Sequence, residues 1–193
     1  MKHAIALLSL SLVVGASQAT FADEDRGKGP RHFSARLSGY EEVHFAAGPP
    51  AALRGAVSTG ARGEFRATID ERHAVIHYEL SYEGLEGTVT QAHIHFGQLH
   101  TVGGIVVWLC ETAGTQSPLP DTTPECPQSG TVTGTIDATK VLALTAQGLD
   151  AGEFDELLAA MRAGATYANV HSSPLFGAGE IRGQIRGDRG HRD

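Results

Sequence analysis

Run after run of this chain alternates apolar and polar residues with a period of two, and glycines punctuate the runs. Successive side chains point to opposite faces of a strand, whereas a helix repeats every 3.6 residues, so the pattern restricts most of the chain to half-buried strands. The clearest run is 74–82, with Ile76, Tyr78, Leu80 and Tyr82 on one side and Val75, His77 and Glu79 on the other. Phe33, Ala35 and Leu37 alternate with Ser34 and Arg36 in a first strand that ends near Gly39. Ala52 to Ser58 and Glu64 to Ile69 predict two short strands joined around Gly60 to Gly63, after a break at Gly48-Pro49-Pro50. Ile105 to Cys110 is nearly continuously apolar and reads as a buried strand. Gly130 to Ile136 and Gly179 to Ile185 are near twins in which glycine shares the inward face with Val or Ile, so a bulky neighbour or another backbone approaches there.

One segment departs from the alternation. Phe154, Leu157, Leu158 and Met161 follow a helical stripe, Asp150 with Glu153 three residues on makes a capping box, and Gly164 stops the helix. Strands in this number with one helix predict an all-β fold: an antiparallel Greek-key-like sandwich or barrel, with the short helix inserted before the penultimate strand.

At 193 residues the chain fits one domain. Met1-Lys2-His3, the apolar run Ala4 to Val14 and the small residues up to Ala19 have the layout of a secretory signal peptide, too short to span a bilayer. The expected organisation is therefore a signal peptide over 1–19, a flexible leader over 20–31, a single β domain over 32–187 and a disordered tail over 188–193. Export, to a periplasmic or extracellular location, makes a disulfide between Cys110 and Cys126 the expected state of the two cysteines. Their spacing is not that of a zinc site. The formal net charge of −7, without a long basic patch, argues against nucleic acid or an anionic membrane surface as partner.

Thr88 to Phe96 carries the chemistry. Alternation puts Ala92, Ile94 and Phe96 on one face and Val89, Gln91, His93 and His95 on the other, so two imidazoles point the same way. In Tyr167 to His171 the residues Tyr167, Asn169 and His171 share a face, and a neighbouring strand would bring His171 up to the pair. Three neutral imidazoles suit a transition metal, with copper ahead of zinc by the Irving–Williams order. Only three protein ligands would leave a position open, as a catalytic site requires. His44, His77 and His100 are the candidates for a fourth ligand. On the last strand Glu180, Arg182, Gln184 and Arg186 share the face opposite Ile181 and Ile185. There Arg182 would steer a small anion such as superoxide and Glu180 would orient a histidine, unless the two are only a solvated pair.

Taken together, Ala92-His93-Ile94-His95, Tyr167-Ala168-Asn169-Val170-His171 and Gly179-Glu180-Ile181-Arg182-Gly183-Gln184-Ile185 resemble the CHRD domain family over about Phe33 to Ile185. The opening Leu37-Ser38-Gly39-Tyr40-Glu41-Glu42-Val43 also resembles the family's, although His44-Phe45 stands where prolines are usual and Ser172 replaces a threonine. This resemblance implies a secreted all-β domain and little about activity. A His-x-His strand, a later strand histidine, a disulfide and a C-terminal arginine are also similar, as parts, to the copper-zinc superoxide dismutases. With copper, that likeness implies superoxide dismutation. The alternatives are a copper carrier or buffer, an interaction module, or a zinc hydrolase. No nucleophile elbow or phosphate loop points to another enzyme class.

Overall fold

The computed structural model describes residues 29–45, 54–113, 117–119 and 122–188. The signal peptide, leader residues 20–28, the Gly48-Pro49-Pro50 break and tail residues 189–193 lie outside the described residues. In chain order the strands are β1 (His32–Ser38), β2 (His44–Phe45), β3 (Arg54–Gly55), β4 (Arg62–Asp70), β5 (Val75–Glu83), β6 (Thr88–Phe96), β7 (Gly104–Glu111), β8 (Gly130–Ile136), β9 (Thr166–Ser173), β10 (Phe176–Gln184) and β11 (Arg186–Gly187). The helix α1 (Phe154–Arg162) precedes the last long strands. None of the described helices is long and apolar enough to cross a membrane.

The main sheet runs β7-β6-β9-β10-β1-β4-β5-β8, with β11 continuing the pairing of β1, and every neighbour is antiparallel. The all-β expectation holds, and of its two forms the sheet takes the barrel, curling until β7 and β8 nearly meet. Side chains and loops fill the seam that remains. Tyr78 on β5 reaches across β8 to donate its hydroxyl to the Leu109 carbonyl of β7 at 2.7 Å. Gly134 of β8 makes room for it, since a Cβ there would stand 2.5 Å from the Tyr78 hydroxyl. Tyr82 likewise donates to Pro127 O at 2.7 Å, and burial pushes the pKa of both phenols up. The outer edge of β7 is covered by its own chain: Glu111 N donates to Pro124 O, Cys126 N to Glu111 O and Leu142 N to Val106 O, at 2.9, 3.0 and 2.9 Å. The Cys110–Cys126 disulfide fixes that strap in place, as expected. Closing a loop of this length contributes roughly 3 kcal/mol in the chain-entropy view.

Phe33, Leu37, Phe65, Ile76, Leu80, Ile94, Leu109, Ile136, Val170 and Ile181 fill the barrel. Phe154, Leu157, Leu158 and Met161 of α1 join the same core. Burying each of these side chains is worth about 1.5–3 kcal/mol, which is what holds so short a helix.

Three local expectations need correction. Arg54–Gly55 pairs with His44–Phe45, not with β4. The reason is that Val57 is buried and donates its N–H to Gly39 O at 2.8 Å, tying this stretch to the end of β1. Glu153, not Asp150, occupies the cap position of α1; its carboxylate accepts from Asp150 N at 2.7 Å, so only the return half of a capping box forms. Finally, the register of β6 against β9 shifts between Val89 and Gln91. One extra residue there turns Val89 into the core beside Ala92, whereas His93 and His95 keep the opposite face.

Candidate metal centre

The outward face of β7-β6-β9-β10 is polar in sequence yet closed to solvent. Register places His93 opposite Asn169, His95 opposite Tyr167 and Gln91 opposite His171, and on the far side of β9 it places Arg182 opposite Asn169 and Gln184 opposite Tyr167. His93, His95, Asn169, His171, Glu180 and Arg182 are all buried. Two segments lie over them: the stretch after β1, through Glu42, and the loop after β6, residues 97–103.

Within this layer His93, His95 and His171 converge, their candidate ligand atoms all within 4.8 Å of one another. Nδ1 of His95 is 3.0 Å from Gly103 O, and Nδ1 of His171 is 3.1 Å from Gly177 O. A carbonyl accepts only from an N–H, so Nδ1 carries a proton in both rings, and in the neutral form of each Nε2 keeps the lone pair. Backbone carbonyls commonly hold metal-ligating histidines in this way. Nδ1 of His93 stands 3.2 Å from Nε2 of His171. Two nitrogens each about 2.0–2.1 Å from one ion at a near-tetrahedral angle are about 3.3 Å apart, so this spacing fits a pair of ligands. His93 Nε2 and His95 Nε2 are buried and have no hydrogen-bond partner. An orphaned buried nitrogen costs about 1–3 kcal/mol, and the bare lone pair of His95 Nε2 fits a site built for an ion; His93, bound through Nδ1, would offer that ion no second nitrogen.

Burial also sets the charge state. Desolvation, followed by the neighbouring imidazoles, holds the His93 pKa far below the usual range. Desolvation likewise depresses His95, to about 3, against the opposing pull of the Gly103 hydrogen bond. Both rings are therefore neutral at ordinary pH, the form that binds a metal.

The surrounding rings lock the triad. Trp108 of β7 meets His93 edge-on at 4.3 Å, and Tyr167 stacks on His95 at 4.7 Å with an interplanar angle of 2°. Asn169 donates to Ile181 O at 3.0 Å and to the Glu42 carboxylate at 2.5 Å. Gly179, at φ +127°, packs against the Glu42 carboxylate and the Asn169 amide and has no room for a side chain.

The other candidates fall elsewhere. His77 is exposed on β5, in the opposite half of the barrel. His100 is exposed at φ +60°, with Nε2 4.0 Å from Glu41. The side chain of His44 lies outside the described residues. The roles expected of Glu180 and Arg182 need correction. Glu180 is a buried acceptor for Thr59 Oγ1 at 2.8 Å, Glu86 N at 2.9 Å and the Ser172 hydroxyl, and holds no histidine among the described residues. Arg182 is only 1 % exposed; its guanidinium lies 3.4 Å over the Tyr167 ring and donates to Thr101 O at 2.6 Å and Gln98 O at 3.1 Å. It is neither a solvated surface charge nor open to an incoming anion. Sequence reading also missed Trp108, hidden in an apolar run, and the loop carbonyls, which carry no residue signature.

No curated protein and no solved structure matches the chain. The partial likeness to copper-zinc superoxide dismutases is accordingly not borne out, and the sequestered Arg182 removes one of its parts. The family model for the CHRD domain does match, over residues 33–185, which takes in the barrel except His32 and β11, and every residue of the histidine layer. The chain therefore belongs to the CHRD domain family.

Proposed function

We propose that this CHRD domain protein is exported and holds one transition-metal ion, copper ahead of zinc, on His93, His95 and His171. The observation that carries the reading is the buried convergence of three imidazoles, two of them anchored through Nδ1 to backbone carbonyls. An all-nitrogen set suits both ions, and the Irving–Williams order ranks copper(II) higher. The Cys110–Cys126 disulfide fits the oxidising compartment in which such a protein would meet copper. Three protein ligands leave coordination open to a small molecule, but Arg182 is already bound to two carbonyls and does not attract one. Carriage or buffering of copper is therefore favoured over superoxide dismutation.

Elemental analysis of protein purified from its native compartment, followed by competition titration with copper and zinc, tests the reading. Near-stoichiometric copper is expected, with superoxide removal no faster than free copper gives. Failure to bind either ion would overturn the proposal. Zinc alone would change the ion and keep the site, and turnover above free copper would restore the dismutase reading.

A further inference from the structure

Loop 97–103 is fastened to the histidine layer almost entirely through its main chain. Arg182 donates to the carbonyls of Gln98 and Thr101, Gln184 Nε2 donates to Gly97 O at 3.0 Å, and Gly103 N donates to the Tyr167 hydroxyl at 3.2 Å. The last link is the Gly103 carbonyl, which accepts from His95 Nδ1. In strand order β6-β9-β10, Tyr167 stands between His95 and Arg182, stacked on the one ring and lying under the other's guanidinium. Gly103 packs so tightly on Phe96 O and Gly97 that any side chain there would collide with backbone. Closed on these contacts, the loop points the Gly103 carbonyl at His95.

We propose that Arg182 is a positioning residue: by clamping loop 97–103 it fixes the Gly103 carbonyl on His95, and so holds that ring as the Nδ1–H tautomer with Nε2 turned to the ion. The proposal rests on the reading of His93, His95 and His171 as a metal site. A planar fork suits the site because each terminal nitrogen serves its own carbonyl, Nη1 donating to Thr101 O and Nη2 to Gln98 O.

The test is long-range proton–nitrogen NMR of the imidazoles in the metal-free full chain, with copper and zinc titrations alongside. The wild-type protein should show His95 protonated at Nδ1. Arg182→Met should give mixed His95 tautomers and lower the affinity for both ions by about 10–100-fold, the usual range for loss of an outer-shell partner. Arg182→Lys should fall between. Wild-type His95 signals in Arg182→Met would overturn the proposal. Should Arg182→Met not fold, Tyr167→Phe keeps the ring and removes only the acceptor for Gly103 N–H. It should shift the tautomer in the same direction by less, and an unchanged spectrum would overturn the clamp. His93→Ala separates the two ideas, because it should remove metal binding and leave His95 at Nδ1–H. A clamp that controls the tautomer in a protein that binds no metal would sink the metal reading alone.

Discussion

The two halves of the barrel share one hydrophobic interior and differ in what their outer faces do. On β1-β4-β5-β8 the outward residues Arg36, Arg66, Thr68, His77, Glu79, Thr131, Thr133 and Thr135 are exposed, and charges pair loosely, as Arg66 does with Glu64 at 2.9 Å. On β7-β6-β9-β10 the outward residues His93, His95, Asn169, His171, Glu180 and Arg182 are as polar but buried, and most of their polar atoms have a specified partner. Exposed charges are interchangeable because water satisfies them, whereas buried ones must be satisfied by the fold. A polar layer closed in this way is maintained at a cost in stability, as the proposed metal site would require of the half that holds it.

The contrast is open to attack by substitution. The largest effect belongs to His93→Ala, which should abolish metal uptake measured by equilibrium dialysis, while His77→Ala on the exposed half leaves it intact; equal uptake in both would erase the distinction. Next, Glu180→Ala strands a buried hydroxyl, a half-buried one and a backbone N–H. It should cost about 3 kcal/mol in urea denaturation. Glu64→Ala on the open half should stay within about 0.5 kcal/mol by the same measurement. Third, the metal-free protein should weaken as pH falls below about 6.5, where unfolded histidine takes up a proton. His95 stays neutral in the fold until about pH 3 and His93 to lower pH still, so the unfolded state binds more protons and stability falls with pH. Each of the two residues contributes about 1.4 kcal/mol per pH unit in that window, and removing both should flatten the profile. The smallest effect is optical. Trp108, the single tryptophan, touches His93, so copper(II) should quench its emission in the wild type and not in His93→Ala.

What could be read in advance follows the same division. Alternation over Val75–Glu83 and the apolar run before Cys110 needed only local pattern, and the barrel core followed from them. The pairing of His93 and His95 was legible because it also is a matter of period, and His171 because its strand repeats the pattern. The shift at Val89–Gln91 was not, since a bulge depends on the partner strand. Nor was the fate of Arg182: its sequence neighbours make it look like an outer-face charge, and loop 97–103, whose Gln98 and Thr101 carbonyls lie 84 and 81 positions earlier, covers it. The Gly103 and Gly177 carbonyls belong to glycines, whose chemistry is that of any main chain.

The strap bound to β7 has a consequence for solubility. A bare strand edge offers unpaired N–H and C=O groups to any other extended chain, and the Cys110–Cys126 bridge keeps that edge occupied by residues 124–126. Reduction should therefore be felt first as self-association through β7, well before the barrel itself melts.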